Sequence, residues 1–118
     1  MIEWIDRGET ACFGVRLRGA VTQAEFRDIA QRIDRQIDAD GPLRLLVDAE
    51  ELDRVSPRAL WDDLKFRTSH ARDLKKLALV GDHGWLRAWT RLLTKLMPVE
   101  LRSFATGQSE QAWRWLRV

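Results

Sequence analysis

Two short apolar segments, each followed by an acidic residue and a helical pattern, constrain the fold of this chain more than any other feature. The first covers residues 43–47 and ends before Asp48, and the second covers residues 77–80 and ends before Gly81 and Asp82. Short apolar runs that are bounded by turn residues and alternate with helices are typical of βα units in a largely parallel sheet. Because such sheets bind ligands beyond the carboxyl ends of their strands, functional residues are expected near Asp48 and Asp82.

The N-terminal part of the chain predicts two strands and a helix. Residues 1–6 and 11–18 form the strands, and the short turn between them favours antiparallel pairing. The pattern from Thr22 to Glu25 is a capping box, in which each side chain satisfies a free backbone donor at the start of a helix. Gly41 and the proline after it then end this helix.

Three more helices are expected along the chain. Ser56, followed by a proline, is typical of a helix start, and this second helix is expected to reach about residue 73. Asp82 is expected to cap a third helix that reaches residue 97. The last strand and the last helix are expected at residues 99–104 and 106–116. The order β-β-α-β-α-β-α-β-α predicts an α/β fold with a mixed sheet of about five strands flanked by four helices.

Composition narrows the class of protein. The 118 residues are 45% hydrophobic and 32% charged, which fits one globular domain over residues 1–118 and argues against disorder. The net charge of +2 is too small to indicate a nucleic-acid partner. Cys12 is the one cysteine, and no apolar run approaches the roughly 20 residues of a spanning helix. The first residues lack the pattern of a signal peptide, so a cytoplasmic protein is expected.

Four segments carry a resemblance to a known family. They are residues 45–48, residues 61–66 with the letters WDDLKF, the turn at residues 80–82, and residues 112–116 with the letters AWRWL. Together they resemble the SpoIIAA-like branch of the STAS superfamily, named after sulphate transporters and anti-sigma factor antagonists. The resemblance implies a mixed sheet with an antiparallel first strand and successive right-handed βα turns. The resemblance also implies the general architecture that occurs in the lipid-binding domains related to Sec14.

The resemblance assigns a role to one serine. In anti-sigma factor antagonists of this superfamily, a partner kinase phosphorylates a serine at the start of the helix after the third strand, and Ser56 stands at that place. A phosphate there would meet free N–H groups and the positive end of the helix dipole. Capping alone also accounts for a serine before a proline, and we interpret Ser56 as an N-cap in preference to a phosphosite.

Catalytic and metal-binding patterns are weak in this chain. Asp48 and Asp82 could act as paired carboxylates, but residues at strand ends more often shape turns and cap helices. His70 and His83 have no Cys or His partner at metal-ligand spacing, and they are expected to be solvated or to cap helices. Cys12 is expected to be a small buried residue. We therefore predict no catalytic residue, no metal and no cofactor.

The tryptophans and the third helix offer the strongest candidates for binding. Trp85 and Trp89 lie on an apolar arc of that helix, and a separate basic stripe contains Arg87, Arg91 and Lys95. Such a helix can pack on the sheet, lie on an anionic membrane or cover an amphipathic ligand. Trp113 and Trp115 cannot share a helix face, so one of the two is expected to be partly exposed. A binding cleft between the second and third helices would contain Trp61, Phe66, Trp85, Trp89, Arg87 and Arg91.

Three functions compete at this point. The preferred one is a non-enzymatic STAS-type binding or regulatory module that acts through protein contacts or an amphipathic small ligand. The alternatives are a peripheral membrane or lipid-binding protein that uses the third helix, and an enzyme that uses Asp48 and Asp82. The sequence leaves the oligomeric state open, with a homodimer among the alternatives.

The role of Ser56 can be tested by substitution. As an N-cap, Ser56→Asp should retain stability because Asp caps as well as Ser, whereas Ser56→Ala should lose about 1 kcal/mol of unfolding free energy. Urea unfolding measures both values. Phosphate found at Ser56 by mass spectrometry of protein from the native host would overturn the preference for a cap.

Overall fold

The computed structural model describes residues 1–8, 12–53, 74–96 and 99–118, and the expected second helix at residues 56–73 lies outside them. Within these ranges the chain forms five strands and three helices. The strands are β1 (Ile2–Ile5), β2 (Cys12–Gly19), β3 (Leu43–Leu52), β4 (Leu74–Val80) and β5 (Glu100–Phe104). The helices are α1 (Gln23–Asp40), α2 (Gly84–Leu96) and α3 (Ser109–Arg117).

The five strands form one mixed sheet in the order β1-β2-β3-β4-β5. β1 pairs antiparallel with β2, and the remaining neighbours pair parallel. Parallel neighbours need a crossover between them, and α1, between β2 and β3, and α2, between β4 and β5, supply two of these connections. The mixed α/β fold and its antiparallel first strand are therefore confirmed.

The two faces of the sheet carry separate hydrophobic clusters. One face packs against α1 and α2, through Ile29 and Ile33 of α1 and Leu86 of α2. The other face packs against α3, through Trp113 and Leu116. The alternation of side chains along each strand explains the division, because Leu45 of β3 joins the first cluster and Leu46 joins the second. The resulting fold has the sheet as its middle layer.

The capping box at the start of α1 is confirmed. The Thr22 hydroxyl accepts a hydrogen bond from the Glu25 backbone N–H at 3.2 Å, and the Glu25 carboxylate accepts one from the Thr22 N–H at 3.1 Å. This backbone hydrogen bond, with the Met1 amino group nearby, holds the pKa of Glu25 below its ordinary value. At the other end, Gly41 adopts φ +81° and donates its N–H to the Ile37 carbonyl at 2.7 Å.

A close contact between α3 and β2 fixes the helix on its face of the sheet. A Cβ atom on Gly14 would lie 3.1 Å from two ring atoms of Trp113, so the glycine leaves the space that this indole fills. Trp113 is buried, whereas Trp115 is half-buried and contacts Phe104 and Lys76. The expectation that one of the two tryptophans is partly exposed is thus confirmed.

The predicted limits of two strands were wrong. β3 continues to Leu52 instead of residue 47, because it goes on pairing with β2 as far as the Gly19–Leu52 pair. β4 begins at Leu74 instead of residue 77, where it pairs with Leu43. In both cases charged residues lie within the strand, and an apolar run therefore underestimates its length. Asp48 is consequently an interior residue of β3.

Candidate functional site

Asp48 is a buried carboxylate within the sheet. Its Oδ2 atom accepts a hydrogen bond from Nε of Arg16 on β2 at 3.0 Å, and its Oδ1 atom accepts one from the Glu50 backbone N–H at 3.1 Å. The hydrogen bond to Asp48 raises the pKa of Arg16 above its ordinary value. The prediction that Asp48 caps a helix or shapes a turn was wrong, because the strand continues past it and its oxygens are used within the sheet.

The strand is irregular directly after Asp48. Arg16 pairs with Asp48 and Arg18 pairs with Glu51, so three steps along β3 match two steps along β2. One extra residue in β3 is the signature of a β-bulge, and the Asp48 carboxylate stabilises it by accepting the Glu50 N–H. β4 ends at Val80, the partner of Asp48, so β3 extends past β4 and carries Glu50 beyond the carboxyl end of β4.

Glu50 connects two other segments at this edge of the sheet. Its backbone carbonyl accepts a hydrogen bond from Nε2 of His83 at 3.0 Å, and a carbonyl acceptor requires the proton to be on that nitrogen. Its carboxylate accepts the Gly107 backbone N–H at 3.0 Å, in the loop between β5 and α3. Glu50 therefore ties the end of β3 to the start of α2 and to the loop before α3.

Asp82 makes a similar connection to the loop between β5 and α3. Its Oδ1 atom accepts the Thr106 backbone N–H at 3.1 Å, and the Gly81 N–H donates to the Phe104 carbonyl at 2.9 Å. The expectation that Asp82 caps the third predicted helix was wrong, because that helix begins at Gly84 and the Asp82 carboxylate holds the loop instead. We call the hydrogen bonds of Glu50 and Asp82 to His83, Thr106 and Gly107 the edge network.

His83 and Trp85 stack on each other at the start of α2. Their ring centroids are 5.4 Å apart and the ring planes differ by 16°. Both residues are half-buried, and Trp85 also packs against the hydrophobic cluster of that face. His83 lies in the turn directly before α2, as expected, and is half-exposed, but its ring bonds to β3 and stacks on an indole. The stacked pair therefore lies directly beside the edge network.

The predicted binding residues are only partly within the described structure. Arg87 and Arg91 are exposed on α2, together with Lys95. The backbone of Trp89 lies in the same helix, but its side chain is outside the described residues, as are Ser56, His70, Trp61 and Phe66. Arg87 and Arg91 share α2 with Trp85, but at 100° per residue they lie about 160° and 120° from it around the helix axis. A common binding surface of these residues, and the contribution of Trp61 and Phe66 to a cleft, stay predictions.

Two residues of the candidate site, Arg16 and Glu50, were not identified by the sequence analysis. The period-two alternation of β2 places Arg16 on the opposite face of the sheet from Val15 and Leu17. No nearby residue pattern indicates that Asp48 is its partner, because the two are 32 residues apart in sequence. Glu50 reaches the edge because β3 continues to Leu52, past Asp48, the partner of the last residue of β4. An acidic pair such as Glu50 and Glu51 at the end of an apolar run is a weak signal that the strand continues.

Other chemistry in the described ranges is limited. No group of three or more His, Cys, Asp or Glu side chains among the described residues could hold a metal ion. Cys12 is buried, as expected. None of the described helices is long and apolar enough to cross a membrane.

Two ion pairs between β2 and β3 offer a matched test of Asp48. Both have an Arg Nε 3.0 Å from a carboxylate, but the side chain of Asp48 is 7% exposed and that of Glu51 is 67% exposed. Asp48→Ala should cost about 1–3 kcal/mol because it leaves the Glu50 N–H and Arg16 without their acceptor. Glu51→Ala should cost about 0–1 kcal/mol. Equal losses in urea unfolding would contradict the assigned role of Asp48.

Comparison with known proteins agrees with this fold. The chain is similar to a crystal structure of a DUF3478-family protein of Shewanella loihica PV-4, which is described as uncharacterized and as having a SpoIIAA-like fold. The two share 26% sequence identity with a TM-score of 0.72, and the match covers 98% of this chain and 93% of that protein. It also shares its fold, at 13% identity and a TM-score of 0.70, with the anti-sigma factor antagonist SpoIIAA in its unphosphorylated form, over 99% of this chain and 98% of the other. No curated protein sequence matches significantly. The SpoIIAA-like family model matches residues 12–117, and the chain therefore belongs to the SpoIIAA-like family.

Proposed function

We propose that this chain is a non-enzymatic binding and regulatory module of STAS type, active in the cytoplasm as one domain over residues 1–118. Membership of the SpoIIAA-like family supports a module of this kind. The structural relative SpoIIAA is described as an anti-sigma factor antagonist, and this favours regulation through contacts with another protein. An amphipathic small ligand is the second kind of binding partner that we propose.

The observation that carries the proposal is that the polar side chains at the carboxyl edge form hydrogen bonds within the protein. The carboxylate of Asp48 accepts hydrogen bonds from Arg16 and from a backbone N–H, and that of Asp82 accepts one from Thr106. The Nε2 proton of His83 is donated to the Glu50 carbonyl. A general acid or base must exchange a proton with its substrate, and groups that hold the backbone together are poorly suited to this. We therefore propose binding, with no catalytic residue.

The proposed binding region is the first half of α2, next to the edge network. Trp85 is half-buried there and stacks on His83, and Arg87 and Arg91 are exposed farther around the same helix. Aromatic surface with a few charged groups beside it is a common composition of binding sites. The proposal extends this region to the side chains of Trp61, Phe66 and Trp89.

The test compares two half-buried tryptophans on opposite faces of the sheet. Tagged wild-type protein, Trp85→Ala and the control Trp115→Ala are expressed in the native host and recovered after cross-linking. Proteins are identified by mass spectrometry, and small ligands by native mass spectrometry. The proposal predicts a partner or ligand that is retained by the wild type and by Trp115→Ala and lost from Trp85→Ala.

Thermal unfolding of the three proteins serves as the control that each is folded at the temperature of the experiment. Retention of the same partner or ligand by folded Trp85→Ala would contradict the proposed site. Recovery of neither a protein nor a ligand with the wild type would contradict the proposed function.

A further inference from the structure

Three basic side chains form a regular line along α2. Arg87, Arg91 and Lys95 follow one another at intervals of four residues, and all three are exposed. At 100° per residue they occupy an arc of about 80° on the helix surface. With a rise of about 1.5 Å per residue, the line is about 12 Å long. We call these three residues the basic ridge.

The ridge points away from the sheet. Leu86, which is 3% exposed, marks the side of α2 that packs on the core, and Trp85 also contacts that core. The other exposed side chains described on this helix are small, namely Ala88 and Thr94. Small neighbours allow another helix to approach the ridge closely.

The charge of the ridge is not balanced by its own helix. α2 contains no acidic residue, and none of the three basic groups forms an ion pair with a described residue. By contrast, Arg7, Arg16 and Arg18 each pair with a carboxylate in the same part of the chain that the structure describes. α1 differs as well, because acidic and basic residues alternate along it. Among the described residues, the ridge is therefore a line of unbalanced positive charge, and it complements a negatively charged surface of another molecule.

The shape of the ridge favours a protein over a membrane. Basic clusters that recognise anionic lipid contain about 4–8 Lys or Arg residues, and the ridge has three. A line of charges at four-residue spacing instead matches the period of another α-helix.

We propose that the basic ridge docks an acidic helical segment of a partner protein, one that carries carboxylates at positions i, i+4 and i+8. This rests on the proposed function and names the chemistry of the partner. Opposite charges at matched spacing set the register of the two helices and speed their association. The contact weakens as salt is added because the charges are exposed.

The test uses two synthetic helical peptides of identical composition. One carries glutamates at i, i+4 and i+8, and the other carries them at i, i+2 and i+5, which distributes them around the helix. Fluorescence anisotropy at low salt gives their affinities for the wild type, for Arg87→Glu/Arg91→Glu, and for the control Arg27→Glu/Arg35→Glu, which changes two exposed arginines of α1. Vesicles containing phosphatidylserine are titrated in parallel.

The proposal predicts that wild type and control bind the aligned peptide about tenfold more tightly than the distributed one. It predicts that Arg87→Glu/Arg91→Glu does not bind the aligned peptide. At high salt, neither peptide should bind to the wild type. Equal affinity for the two peptides, or unchanged binding by the α2 variant, would overturn it. Binding of vesicles without a peptide preference would assign the ridge to a membrane. If these tests fail while a native partner still depends on Trp85, the proposed function stands and only the acidic helix is rejected.

Discussion

Asp48 carries a carboxylate in the middle of a strand, where a charge without partners would be strongly destabilising. Arg16 on the neighbouring strand and the Glu50 backbone N–H supply those partners at 3.0 and 3.1 Å. The second of these bonds lies at the bulge in β3. Because β4 stops at the level of Asp48, the extra length of β3 is what carries Glu50 out to the carboxyl edge. The rest of the site depends on that position.

The two sides of the molecule are held by different interactions. α3 is fixed by close apolar packing, with Trp113 filling the space above Gly14 and with Leu116 fully buried. The carboxyl edge is fixed by hydrogen bonds from Glu50 and Asp82 to backbone groups and to His83. Directional bonds of this kind define a loop geometry without requiring a large apolar core. The start of α2 is thereby set in place.

The elements of the fold could be predicted because local signals specify them. The apolar runs of β3 and β4, the capping box at Thr22 and the glycine at the end of α1 each act within a few residues, and the structure follows them. The roles of Asp48 and Asp82 could not be predicted, since each depends on a partner distant in sequence, 32 residues away for Arg16 and 24 for Thr106. An apolar run followed by acidic residues looks the same in sequence whether the strand ends there or continues through a bulge.

Amide hydrogen exchange followed by NMR tests the central role of Asp48 most directly. The measurement compares wild type, Asp48→Ala and Glu51→Ala at two amides. The Gly107 N–H donates to the Glu50 carboxylate, and the Ala112 N–H donates to the carbonyl of Gln108, the N-cap of α3. If Asp48 positions Glu50, exchange at Gly107 should accelerate in Asp48→Ala more than exchange at Ala112, and Glu51→Ala should change neither. Unchanged exchange at Gly107, or an equal acceleration at both amides, would contradict this account.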